Sequence, residues 1–101
     1  MLDCKTSFVA IDVETANADM ASICQIGMAK YNNGVLVEEW SSLLDPEDYF
    51  DFINLDIHGI TEEHVAGKPT FREVVNQLSS FLMAQFASAI LILIVYPLAE
   101  L

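Results

Sequence analysis

Phe8-Val9-Ala10-Ile11-Asp12-Val13-Glu14-Thr15 is an apolar run carrying two carboxylates two residues apart. Strand side chains alternate between faces, so Asp12 and Glu14 project from one face and Val9, Ile11 and Val13 from the other. Apolar residues on both faces predict a strand buried on both sides. Neighbouring carboxylates in such a strand are costly unless a cation or hydrogen bonds compensate them. Two readings stay open from the strand alone. The pair is the solvated face of an edge strand, or it is a cation site at a strand's C-terminal end, where open α/β sheets place their ligands.

The surrounding composition sharpens the second reading. The chain has 101 residues, enough for one small domain, and 53% are hydrophobic. Fifteen acidic residues against four basic ones give a formal net charge of −11. Lys5, Lys30, Lys68 and Arg72 are scattered and form no patch. A sequence-independent grip on nucleic-acid phosphates needs clustered Lys and Arg. Any action on nucleic acid therefore requires bound divalent cations to supply positive charge. Cys4 and Cys24 make neither a disulfide framework nor a CxxC metal spacing. The first residues, Met1-Leu2-Asp3-Cys4-Lys5, lack the basic and apolar regions of a secretory signal, so a reducing cytoplasm is the expected compartment.

Working outward, residues 16–22 read as a loop and residues 23–31 as a second strand, with Gly27 a candidate for a bulge or close approach. Asn32-Asn33-Gly34 is a hairpin turn signal, and residues 35–44 form the returning strand, ended by Asp45-Pro46. Residues 46–60 read as an irregular acidic stretch packed on its own aromatics, Tyr49, Phe50 and Phe52. Thr61 is a predicted N-cap with Glu62 and Glu63 in the first turn, and Gly67 ends that short helix. Thr70 and Glu73 have capping-box spacing. Apolar residues at 71, 74, 75, 78, 81 and 82 then predict an amphipathic helix over 71–83. Residues 90–95 are a short apolar run, consistent with a buried strand parallel to the first.

Four pieces in this order resemble the DEDDh 3′–5′ exonucleases, which include the proofreading epsilon subunit of bacterial DNA polymerase III. They are the first strand, Ile23-Cys24-Gln25-Ile26-Gly27, His58-Gly59-Ile60-Thr61 and Lys68-Pro69-Thr70-Phe71. The resemblance spans roughly residues 6–83 and implies an α/β, ribonuclease H-like fold. Here its N-terminal part is expected: a three-stranded meander, a helix and a further strand. It implies hydrolysis of nucleotides from a nucleic-acid 3′ end, DNA in preference to RNA, with two Mg²⁺ or Mn²⁺ ions. Matched to the family's first motif, Asp12 and Glu14 are the implied catalytic and metal-ligating residues, with Asp12 bridging both ions. Thr15 and His58 are the implied substrate-proximal residues. His58 is not the general base. His64 reads as a solvated helix residue, and Cys24 as a small buried side chain.

The chain departs from the family after residue 83. Where a His-Asn-x-x-Phe-Asp segment is expected, Tyr96-Pro97-Leu98-Ala99-Glu100-Leu101 follows, with no aspartate. Glu100 replaces it only by coincidence. The general-base histidine and fourth aspartate of the pattern are not matched. The chain thus reads as a single partial exonuclease domain over residues 1–101, matching the family over 6–83, with a divergent apolar tail over 84–101. Catalysis is expected to be impaired. A frameshift or premature stop accounts for the joint loss of resemblance and charge. The other two frames downstream of codon 84 are then expected to encode the missing motifs, and their absence there would sink the idea.

Two other functional classes remain open. One is a non-catalytic remnant or binding module of the same fold, with a polymerase or a second copy as candidate protein partner. The other is a small membrane-associated protein anchored by residues 81–98, whose 18 residues reach the lower bound for a span. No membrane partner is expected.

Overall fold

The computed structural model describes residues 7–83 and 91–95. Its centre is a four-stranded sheet of order β3-β2-β1-β4. The opening stretch is β1 (Phe8–Thr15), paired antiparallel with β2 (Ile23–Asn32). β2 pairs antiparallel with β3 (Val35–Leu43). The two-residue turn between them holds Asn33 at φ 53° and Gly34 at φ 80°. Left-handed backbone at both positions matches the twist of the flanking strands, which is why the Asn-Gly signal is reliable. β4 (Leu91–Val95) lies parallel to β1 on its other side, with Phe8 opposite Leu91 and Asp12 opposite Val95. β1 is therefore internal, and the edge-strand reading of its carboxylates falls.

Three helices connect β3 to β4: α1 (Phe52–His58), α2 (Glu62–Val65) and α3 (Phe71–Met83). α3 starts on the expected capping box, with Thr70 N–H donating to Glu73 Oε1 at 2.8 Å and Glu73 N–H to Thr70 Oγ1 at 3.3 Å. Its Val74 and Leu78 are buried with Val9 and Val13 of β1, Ile26 and Met28 of β2, and Leu44. Each fully buried aliphatic side chain of this kind contributes about 1.5–3 kcal/mol. Within the predicted apolar stripe, Phe71 and Val75 remain exposed. They border an apolar depression of about 210 Å³ with Ile11, Ile26, Met28 and Leu78. A second cluster, Cys24, Ile60 and Val65 with Leu43 and Phe50 against it, joins the end of β2 to the segment around α1 and α2.

Several expectations change. Residues 46–60 are not wholly irregular, since α1 occupies Phe52–His58. Gly27 sits in regular register between Asp12 and Ser41, and the register shifts fall at Glu14/Thr15 and Lys30/Tyr31 instead. β1 is not buried on both faces along its length. Val9 and Val13 are buried, Glu14 is half-buried and Asp12 is exposed, so the carboxylate face opens to solvent near the strand's end. The desolvation cost argued for the pair is correspondingly smaller at Asp12. Residues 81–98 do not form one helix, because β4 lies within them, and no helix among the described residues is long and apolar enough to cross a membrane. Glu100 and most of the divergent tail lie outside the described residues.

Candidate active site

Asp12 and Glu14 come from alternate positions of β1, so about 6.8 Å of strand rise separates them on one face. They lie at the C-terminal end of a strand flanked on both sides by other strands. Directly after Glu14 the pairing with β2 slips: Glu14 faces Gln25, but Thr15 faces Ile23. The extra residue is Cys24, so β2 carries the bulge while Thr15 stays paired, and the local twist beside Glu14 increases.

Beyond the bulge, α1 adds to the hold of the Thr15–Ile23 pair and the Ala16 N–H bond to Ser22 O. Asp51 caps this helix by accepting from Ile53 N–H at 3.3 Å, and Gly59 ends it at φ 68° with its N–H donating to Leu55 O. Asn54 and His58 are four residues apart, so they share one helix face, and that face meets the end of β1. Asn54 is buried, and its Nδ2 donates to Thr15 O at 3.1 Å, Thr15 Oγ1 at 3.1 Å and Asn17 O at 3.3 Å. Two hydrogens serve three acceptors, so one is shared. His58 Nε2 lies 2.8 Å from the same Thr15 carbonyl. Its Nδ1 accepts from Ile60 N–H at 2.9 Å. A carbonyl only accepts and an amide N–H only donates, so the imidazole is the neutral tautomer with its hydrogen on Nε2.

The loop after β1 is fixed by the same region. Asn17 Nδ2 donates to Tyr49 O at 2.9 Å, Asp51 N–H to Ala16 O at 2.8 Å, and Ala16 N–H to Ser22 O at 2.8 Å. Thr15, Ala16 and Asn17 are all buried. Asp12, Glu14, Thr15 and His58 are therefore gathered at one end of the sheet. His64 is elsewhere: exposed on α2, it accepts from Thr61 N–H through Nδ1 at 3.0 Å, a capping role beyond simple solvation.

Asn54 and Asn17 have structural roles at this site that the sequence reading passed over. The available signals were Asp51 and Gly59, an N-cap and a left-handed cap bracketing seven residues.

The donor set at the strand end suits a hard divalent cation. Two carboxylates offer oxygen ligands, and Mg²⁺ commonly takes one or two carboxylates and completes its shell with water. Among the described residues, no three or more His, Cys, Asp or Glu converge to hold a metal. Lys30 is buried, with Nζ 3.6 Å from Glu38 Oε1.

Cys24 is a titratable group altered by its surroundings at this end. Burial, reinforced by the Glu14 carboxylate and opposed by a backbone hydrogen bond, pushes its thiol up from 9.0 to about 11. The folded state thus holds the proton more tightly than the unfolded one. Its stabilising effect is complete below pH 9 and is lost as pH climbs through about 11. At pH 8 a two-unit rise leaves roughly 100-fold less thiolate, the reactive species. Iodoacetamide at pH 8 is therefore expected to spare Cys24 in the native chain and label it in urea. Rapid native labelling of Cys24, resolved from Cys4 by peptide mapping, would contradict its burial.

A family model described as RNase_T, exonuclease, matches residues 9–89. The PolC-type DNA polymerase III of Streptococcus mutans is 29% identical over 79 residues, 76% of this chain but 5% of that protein. The Thermotoga petrophila PolC-type enzyme is 32% identical over 78 residues, 75% of this chain and 6% of its own length. The chain thus spans about one-twentieth of the curated polymerases it matches. Among solved structures, exonuclease X in complex with 5′ overhanging duplex DNA superposes with a TM-score of 0.66 at 30% identity, covering 70% of this chain and 42% of that one. The nuclease domain of 3′hExo, a DEDDh family member bound to rAMP, gives a TM-score of 0.66 at 13% identity, over 87% of this chain and 52% of the other. This second likeness speaks to the fold alone.

Proposed function

This chain belongs to the RNase_T exonuclease family and is of the DEDDh type, and from that premise we propose that it contributes the first half of a cation-dependent 3′–5′ exonuclease site. The observation that carries the reading is Asp12 and Glu14 on one face at the open C-terminal end of an internal strand. They would hold Mg²⁺ or Mn²⁺, two ions in the full family site. Bound there, such ions polarise a phosphodiester and lower the pKa of a water. The chain's own residues supply position. Thr15 is fixed beside the carboxylates, where the terminal nucleotide would lie, and His58 shapes that place by holding the Thr15 carbonyl.

DNA is the proposed substrate. The sequence relatives are DNA polymerases, and exonuclease X was solved with duplex DNA. Association with a polymerase is the proposed partnership, and the buried free thiol of Cys24 suits a reducing cytoplasm. A polypeptide of these 101 residues is proposed to be a slow enzyme. General acid–base assistance contributes on the order of 10²–10⁴-fold, and no residue matching the family's base is present. A second reading, a non-catalytic binding module, draws on the lack of a third converging ligand among the described residues.

A 5′-labelled single-stranded DNA incubated with the chain and Mn²⁺ separates the two. The nuclease reading expects a ladder shortened from the 3′ end, lost on adding EDTA and lost in Asp12→Ala. DNA that stays intact under enzyme excess, or a ladder that survives Asp12→Ala, removes the nuclease reading.

A further inference from the structure

We propose that Asn54 is a positioning residue that reinforces the end of β1 at the Glu14/Thr15 register shift and holds it in the conformation able to bind a divalent cation. This rests on the cation site proposed above. Strand pairing continues to Thr15, opposite Ile23, but the register slips there and leaves Cys24 of β2 without a counterpart. One carboxamide, buried at 7% exposure, reaches Thr15 O, Thr15 Oγ1 and Asn17 O. It therefore ties the first and third residues after Glu14 to a single point on α1. Each carbonyl has a second partner, His58 Nε2 at Thr15 O and the more distant Ser22 Oγ, at 3.4 Å, at Asn17 O, and Asn54 is the group that reaches both.

A buried Asn in a helix whose Phe52 and Ile53 are exposed at 84% and 64% is an inverted pattern. Packing does not explain it, because an apolar residue would fill the same space but take a donor from the buried acceptors at Thr15 and Asn17. Those hydrogen bonds orient the backbone beside Glu14. Groups that orient metal ligands from behind are typically worth 10–100-fold in metal affinity.

The test is Mn²⁺ affinity of the full chain, read from the free-ion electron paramagnetic resonance signal, beside urea unfolding. Asn54→Ala is expected to weaken Mn²⁺ binding at least about tenfold. Leu78→Ala, a core truncation remote from the site, is the control: it lowers stability and leaves Mn²⁺ affinity unchanged. Asn54→Ser serves if the alanine variant does not fold. Wild-type affinity in a folded Asn54 variant, with binding lost in Asp12→Ala, overturns the positioning role and leaves the nuclease reading standing. Equal weakening in Leu78→Ala, or failure of both Asn54 variants to fold, also overturns it. No Mn²⁺ binding by the wild-type chain overturns both readings.

Discussion

Asp12→Asn is expected to abolish the Mn²⁺-induced rise in melting temperature while leaving the metal-free melting temperature unchanged or higher. The two halves have separate causes. A ligand that binds only the folded state stabilises by RT ln(1 + [L]/Kd), about 2.7 kcal/mol at a concentration 100-fold above Kd. Asparagine keeps the shape of Asp12 and removes the charge that a hard cation requires. Without metal the same charge is a burden. Asp12 and Glu14 repel each other by about 0.6 kcal/mol at roughly 7 Å in a water-like dielectric, in a chain whose formal net charge is −11. Asp12 is exposed, so little packing is lost. A residue placed for structure behaves in the opposite way, lowering the metal-free midpoint when replaced. Differential scanning fluorimetry with and without Mn²⁺ reads both quantities. A clear loss of metal-free stability, or a retained Mn²⁺ shift, would count against Asp12 as a ligand.

The same contrast explains what could be read from the sequence. β1 announced itself as an apolar run carrying two carboxylates, β2 and β3 through the Asn-Gly turn between them, and α3 through a capping box followed by 3.6-residue periodicity. Local preference and burial agree best in β2, whereas Val35, Leu36 and Val37 of β3 are exposed. β4 was legible as a short apolar run, and its parallel pairing with β1 follows from the helices between them. α1 was missed because its burial runs against hydrophobicity. Phe52 and Ile53 face solvent, while Asn54 is buried and His58 half-buried. A reading that looks for apolar residues on one face finds nothing to follow there. Conflict between local rule and tertiary role is expected where function, not folding, sets the residue. The segment that hid from periodicity is the one that braces the candidate site.

His58 allows that bracing to be divided between its two nitrogens, and the expected outcome differs for each. Glutamine places a nitrogen near the position of Nε2, and asparagine places an oxygen near that of Nδ1. His58→Gln is therefore expected to keep a donor for Thr15 O and lose the acceptor for Ile60 N–H. His58→Asn is expected to keep the acceptor and lose the donor. Ile60 is buried at 8% exposure, so its N–H left without an acceptor costs about 1–3 kcal/mol. Thr15 O retains Asn54 in either variant, so losing the His58 donor costs less, about 0.5–1.5 kcal/mol. Urea unfolding should accordingly rank wild type above His58→Asn, and His58→Asn above His58→Gln. Mn²⁺ affinity should rank the two variants the other way, because only the Thr15 contact reaches the backbone beside Glu14. His58→Ala, which loses both contacts, should fall below either variant in stability. If both measurements fall in parallel across the three variants, the histidine supports the fold as a whole and has no separate hold on the strand end. Opposed rankings would show that the hydrogen bond from Nε2 to the Thr15 carbonyl carries its own share of the link between α1 and the carboxylates, beside Asn54.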